Sequence, residues 1–230
     1  MAALKAAGAS IVFVGVAEPW KPFRGEDALR ALEGVEIVPL DIGDENPVAD
    51  LAADIGGKVD ILVNTAEHVR AGGLLDRQGT SVVRDEIDQS YLGFVHLAQA
   101  FGPAMRMRGS DGVNSAAAWV NILSVYALAN WPVFGAYSAS QAACLSLSHC
   151  AAGGASARRR QGGERVHGAA RYRMVPDGAA AEGRAGARLR SSIVSALKRG
   201  LEDVFVGDVA EDIRQRLAAN PKAVERELGA

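Results

Sequence analysis

Apolar residues along this chain fall into short runs separated by polar stretches with helical spacing, the alternation expected of a parallel α/β domain. Four runs read as buried strands: Ser10–Val16 (SIVFVGV), Val35–Leu40 (VEIVPL), Val59–Asn64 (VDILVN) and Ala116–Leu123 (AAAWVNIL). Residues 2–8 read as the tail of a helix closed by Gly8. A helix is expected from about Asn46 to Ile55. A long one is expected over Thr80–Arg108, with Val83, Ile87, Tyr91, Val95, Leu97, Ala98 and Phe101 as its apolar core. Another runs from Ala136 to about Cys150. From Ser191 onward SSIVSALKRGL predicts an amphipathic helix, DVFVGDV a short strand, and VAEDIRQRLA and AVERELG two terminal helices.

The pattern breaks between Ala151 and Arg190. Those 40 residues hold 11 Ala, 8 Gly and 9 Arg, with one Leu and no Ile, Phe or Trp. Nine Arg against the three acids Glu164, Asp177 and Glu182 give +6, in a chain whose net charge is −2. Such a stretch lacks the apolar surface to fold alone and is expected to be disordered. Its composition is that of a shifted reading frame in a GC-rich gene. The competing reading is an Arg-rich arm for phosphate or nucleic acid, but it lacks interleaved aromatics, Tyr172 apart.

At 230 residues the chain fits one domain with a full core. A net charge of −2 gives no whole-chain case for nucleic acid or an anionic membrane as partner. No apolar run approaches the ~18 residues a bilayer span needs. Met1–Ser10 lacks the apolar centre of a signal peptide. Cys144 and Cys150 lie in one predicted helix, poorly placed for a disulfide, so a cytoplasmic location is expected. His68, His96, His149 and His167 show no metal-ligand spacing.

Candidate chemistry centres on Trp119–Gln141. Ser124 follows the last strand run directly, where ligands meet parallel sheets. Tyr137 comes thirteen residues later at the head of an Ala- and Ser-rich helix. A strand-end hydroxyl and a phenol in the first turn of the next helix can converge on one substrate oxygen, a geometry suited to proton transfer at an alcohol or carbonyl.

This passage resembles the active-site region of the short-chain dehydrogenase/reductase family, whose pattern is a strand-end Ser followed by Tyr-x-x-x-Lys. Ser124 and Tyr137 match, while the Lys position holds Gln141. Val59–Glu67 continues the resemblance: the family reads DxLVNNAG and this chain reads DILVNTAE, so Asn64 and Ala66 match while Thr65 and Glu67 replace Asn and Gly. The resemblance implies a Rossmann-like doubly wound parallel sheet with NAD or NADP as cofactor. It implies Tyr137 as acid/base and Ser124 as the residue that hydrogen-bonds the substrate oxygen. Ser90, in Ser90-Tyr91-Leu92-Gly93, stands where the family's NxxG places the Asn that holds a relay water. Asp41 and Ile42 match the pair that frames the adenine; Asp41 also reads as a helix cap. Asn64 reads as a tie between strands, and the resemblance places it with Ala66, Tyr137 and Gln141 against the cofactor, where Gln141 can hydrogen-bond the ribose. Glu18 suits a free ribose 2′-hydroxyl, whereas Lys21 and Arg24 suit a 2′-phosphate.

The departures carry consequences. The first strand of the family and its Gly-rich turn, TGxxxGxG, do not appear ahead of the first helix, so the sheet is expected to be incomplete at its centre. Glu67 adds a negative charge where backbone normally runs close to the cofactor. Gln141 carries no charge, so about 4 kcal/mol of attraction between a cation and a tyrosinate at about 4 Å is missing. Two functions follow as expectations. One is NAD(P)-dependent hydride transfer between a small-molecule alcohol and its carbonyl, with reduced activity, in a homo-oligomer built on the two long helices. The other is a catalytically inactive homologue that binds or dimerises, or a decayed gene product.

Overall fold

The computed structural model describes residues 1–23, 25–76, 79–110, 118–159, 167–173, 184–201 and 203–229. In chain order the elements are α1 (Ala2–Ala6), β1 (Val12–Val16), α2 (Glu26–Arg30), β2 (Val35–Pro39), α3 (Glu45–Ile55), β3 (Ile61–Asn64), α4 (Ser81–Ile87), α5 (Gly93–Ser110), β4 (Ala118–Ser124), α6 (Gly135–Arg159), β5 (His167–Arg173), α7 (Arg184–Arg199), β6 (Asp203–Val206), α8 (Asp208–Ala219) and α9 (Pro221–Leu228). Every strand pairing is parallel. Helices alternate with strands along the chain, as parallel crossovers demand.

The strands form two groups. β1 pairs with β2, and β3-β4-β5-β6 form a second run in that order. Among the described residues β1 and β3 are not hydrogen-bonded neighbours, so the two groups leave an opening between them. A cavity of about 1110 Å³ occupies this opening, lined by Val12–Gly15 on one side and Asp60–Asn64 on the other.

The main core lies under one face of the sheet. Ile42, Val48, Ile55, Leu97, Phe101 and Met105 are buried together, with Phe13, Leu40, Leu62 and Trp119 packed against them. That cluster joins both strand groups through α3 and α5, so helix packing spans the opening. Phe94, Leu123 and Cys144 continue the core beneath α6. The other face carries α7, whose Val194 and Leu197 line the cavity with Ile61 and Val63.

Several local signals act as read. Gly8 takes φ +103 directly after α1, the left-handed close that glycine favours. The predicted helix over Thr80–Arg108 is interrupted: α4 passes through one π-helical turn at Asp88–Leu92 before α5 begins. The capping aspartate of α3 is Asp44, whose side chain accepts from Asn46 N at 3.0 Å, and not Asp41. The largest departure is β5, because the sequence pattern predicts no strand in 151–190. Backbone pairing on both sides holds it, from Ala118↔His167 to Ser124↔Arg173 and from Ala170↔Asp203 to Arg173↔Val206. α6 also runs on to Arg159, beyond its expected end. Arg24 lies outside the described residues.

Candidate active site

β4 ends at Ser124, and the chain turns at once into Val125–Ala127. The Ser124 hydroxyl starts that turn by accepting the Tyr126 N–H at 3.2 Å. The backbone N–H of Ser124 donates to Gln141 Oε1 at 2.8 Å. Gln141 is only 2 % exposed, so this bond locks the first turns of α6 onto the end of β4. Tyr137 lies one turn before Gln141 on the same helix face and is itself buried. Its ring meets Tyr126 edge-on, with centroids 6.2 Å apart. Ser124, Tyr137 and Gln141 are therefore brought together.

A fourth group joins them. The Tyr137 hydroxyl donates to Glu67 Oε2 at 2.8 Å. Glu67 sits three residues beyond β3, in a turn held by the Ala66 N–H donating to Asn64 Oδ1 at 3.2 Å. Asn64 also reaches across to β4, with its amide 3.5 Å from Asn121 Oδ1. Asn121 is buried and further tied to Ser148 on α6 at 2.9 Å and to the Trp119 indole at 2.9 Å. A polar seam thus runs from β3 through β4 to α6 directly beneath the site. Sequence reading reached Asn64 but missed Asn121 and Ser148, which read there as ordinary strand and helix residues.

Beside Tyr137 the chain gathers rings. Tyr126 stacks on Phe134 at 5.6 Å and meets Trp131 edge-on at 5.6 Å. Their spacing in VYALANWPVFGAY was the signal for this wall, and it went unused. Cys144 is no competing nucleophile, since burial pushes its thiol up to about 12.

The expected cofactor residues form a second group at the strand ends. Ile42, Asn64 and Ala66 line the cavity with Leu40, Ala17 and Gln89. Asp41 stands behind this wall; its Oδ1 accepts from Gly43 N at 2.9 Å and from Gln89 Nε2 at 3.2 Å. His96 Nδ1 lies 2.9 Å from the Ile42 carbonyl and fixes the same corner. An apolar wall with amide groups at its rim has the room and the chemistry for a nucleoside. Glu18 lies apart: it is exposed and paired with Lys21 at 2.6 Å, so each charge partly cancels the other. Ser90 is 2 % exposed in the π-helical turn, and its Oγ has no hydrogen-bond partner among the described residues. Among those residues no cluster of His, Cys, Asp or Glu could hold a metal ion.

Comparison with known proteins decides the family. A family model described as enoyl-(acyl carrier protein) reductase matches residues 2–160. The chain belongs to the short-chain dehydrogenase/reductase family. It is 34% identical over 128 residues to an uncharacterized oxidoreductase of Mycobacterium bovis, covering 52% of this chain and 36% of that protein. It is 34% identical over 116 residues to dehydrogenase/reductase SDR family member 7B of Danio rerio, covering 49% and 35%. The matched stretch spans about a third of the length of these relatives. Among solved structures, a short-chain dehydrogenase from Burkholderia cenocepacia in complex with NADP superposes with a TM-score of 0.80 at 24% identity, covering 99% of this chain and 91% of that one. That likeness shows the fold.

Proposed function

We propose that this short-chain dehydrogenase/reductase is an NAD(P)-dependent oxidoreductase that interconverts a small alcohol and its carbonyl. One observation carries the reading: the Gln141 amide ties the end of β4 at Ser124 to the helix that carries the buried Tyr137 one turn earlier. Ser124 would orient the substrate oxygen, since its hydroxyl accepts from Tyr126 N and still has its own proton to donate. Tyr137 would exchange a proton with that oxygen. Gln141 would keep Ser124 and Tyr137 in register. Ser90 would hold a water in the relay, as a buried hydroxyl with hydrogen-bonding capacity to spare. Asp41, Ile42, Asn64 and Ala66 would hold the adenosine end of the cofactor. Glu18 would favour NAD and Lys21 NADP. When bound, the nicotinamide would supply or take up the hydride.

The relatives support this reading: the M. bovis protein is named an oxidoreductase, and the B. cenocepacia structure holds NADP. Ile87, Leu92 and Met107 expose apolar surface along the stretch from α4 to α5, which supports a homo-oligomer. The two unpaired cysteines support a reducing, cytoplasmic setting. No described helix is long and apolar enough to cross a membrane.

A second reading, a binding homologue without turnover, is favoured by the opening between β1 and β3. Titrating the protein with NADH and with NADPH, followed by nicotinamide fluorescence, and then assaying turnover of a carbonyl panel, separates the two. The oxidoreductase reading expects saturable binding of at least one, with turnover. A folded chain that binds neither, or that binds without turnover, supports the second reading.

A further inference from the structure

The Tyr137–Glu67 bond brings in a carboxylate that the reaction above leaves unused, and the inference drawn from it rests on that oxidoreductase reading. Tyr137 is 4 % exposed, whereas Glu67 is open to solvent. The carboxylate therefore stands between the buried phenol and bulk water, 2.8 Å from the hydroxyl. Its turn is fixed from below by Asn64, through the Ala66 N–H. Gln141, uncharged, has its amide oxygen committed to Ser124. A neutral phenol is a weak base. A phenol whose proton is already aimed at a carboxylate can accept a proton on one side while releasing its own on the other.

We propose that Glu67 is a positioning and proton-relay residue that acts through Tyr137 and links it to solvent. In alcohol oxidation the substrate O–H bond breaks and its proton forms a new O–H bond at Tyr137 Oη. The original Tyr137 O–H bond breaks in the same event, and that proton forms an O–H bond on Glu67 Oε2. The electron pair left on the substrate oxygen becomes the carbonyl π bond as the hydride departs to the oxidised nicotinamide. Glu67 then passes its proton to water. Tyr137 begins and ends neutral, so no tyrosinate has to be stabilised by a cation at position 141. Carbonyl reduction runs the same hops backwards.

The test uses the full chain with Glu67→Gln, Glu67→Asp and Tyr137→Phe, and reads two signals. The first is kcat and KM for a panel of secondary alcohols with oxidised nicotinamide cofactor. The second, taken without cofactor, is the tyrosine absorption difference between wild type and Tyr137→Phe, which shifts to longer wavelength when a phenol donates to a carboxylate. Glu67→Gln is expected to lower kcat by about 100-fold or more with KM within about twofold, and to lose the shifted band. Glu67→Asp is expected to keep the band and much of the activity. A Glu67→Gln enzyme with wild-type kcat overturns the relay and leaves the oxidoreductase reading standing, as does a wild type without the shifted band. A wild type that shows the band but turns over no substrate overturns the oxidoreductase reading, and the relay with it.

Discussion

Gln141 is the residue on which the site's geometry depends. Its side chain is among the largest that are fully buried, and its amide oxygen satisfies a strand-end N–H that water cannot reach. Leaving a buried donor unsatisfied costs about 1–3 kcal/mol. Gln141→Leu, which keeps the shape and removes the acceptor, is therefore expected to destabilise the chain by about that amount in urea denaturation. An unchanged midpoint would show that the bond contributes nothing. By its sequence Gln141 reads as a lost lysine whose amide can still hydrogen-bond the cofactor ribose. The family pattern shows which charge is missing, whereas the bond to Ser124 depends on how α6 lies against β4, which no local pattern encodes. Glu67 followed the same course. Sequence reading flagged its charge as an intrusion near the cofactor, and the fold places its carboxylate on Tyr137.

Among the elements, the helical stretch that carries Ser90 shows how packing overrides periodicity. Its apolar stripe reads as one continuous helix, yet the π-helical turn at Asp88–Leu92 re-phases it before α5. π-turns are commonly found at functional sites. Directly after the turn, Gly93 lies against the Asp41–Ile42 corner: a Cβ built there would stand 2.5 Å from Ile42 Cδ1 and 3.2 Å from the Ile42 carbonyl. Gly93→Ala must push α5 away from the corner assigned to adenosine. The expected cost is about 1–3 kcal/mol of stability, with weaker nucleotide binding. Thermal unfolding and nicotinamide fluorescence on the same samples would check both. Wild-type values in both would show that the corner yields freely. β5 teaches the opposite lesson. HGAARYR has no strand pattern of its own, and pairing to β4 and β6 supplies what its composition does not. β1, β2, β3 and β4 were legible because each is apolar and β-branched. β5 was not, because its order depends on partners distant in sequence.

At the scale of the whole molecule, alternation pointed to a parallel α/β domain, the family resemblance implied that it is doubly wound, and the described strands leave an opening between β1 and β3. What the sequence did not show is that α3 and α5 bridge that opening with a shared core. This core packs the Ile42 corner against β1, β3 and β4 through Phe13, Leu62 and Trp119. The side that carries Ser124 and Tyr137 is fastened separately, by the Asn121–Ser148 and Ser124–Gln141 bonds between β4 and α6. A folded protein whose chemistry survives the opening between β1 and β3 is therefore expected. Its central claim is that Tyr137 exchanges the substrate proton. The most direct measurement is the rate of NADH and NADPH oxidation with a panel of aldehydes and ketones, for wild type against Tyr137→Phe. Measurable wild-type turnover that falls at least about 100-fold in Tyr137→Phe, with the nucleotide still bound, is the result predicted here. Turnover that persists in Tyr137→Phe, or a wild type that binds nucleotide and reduces nothing, would contradict it.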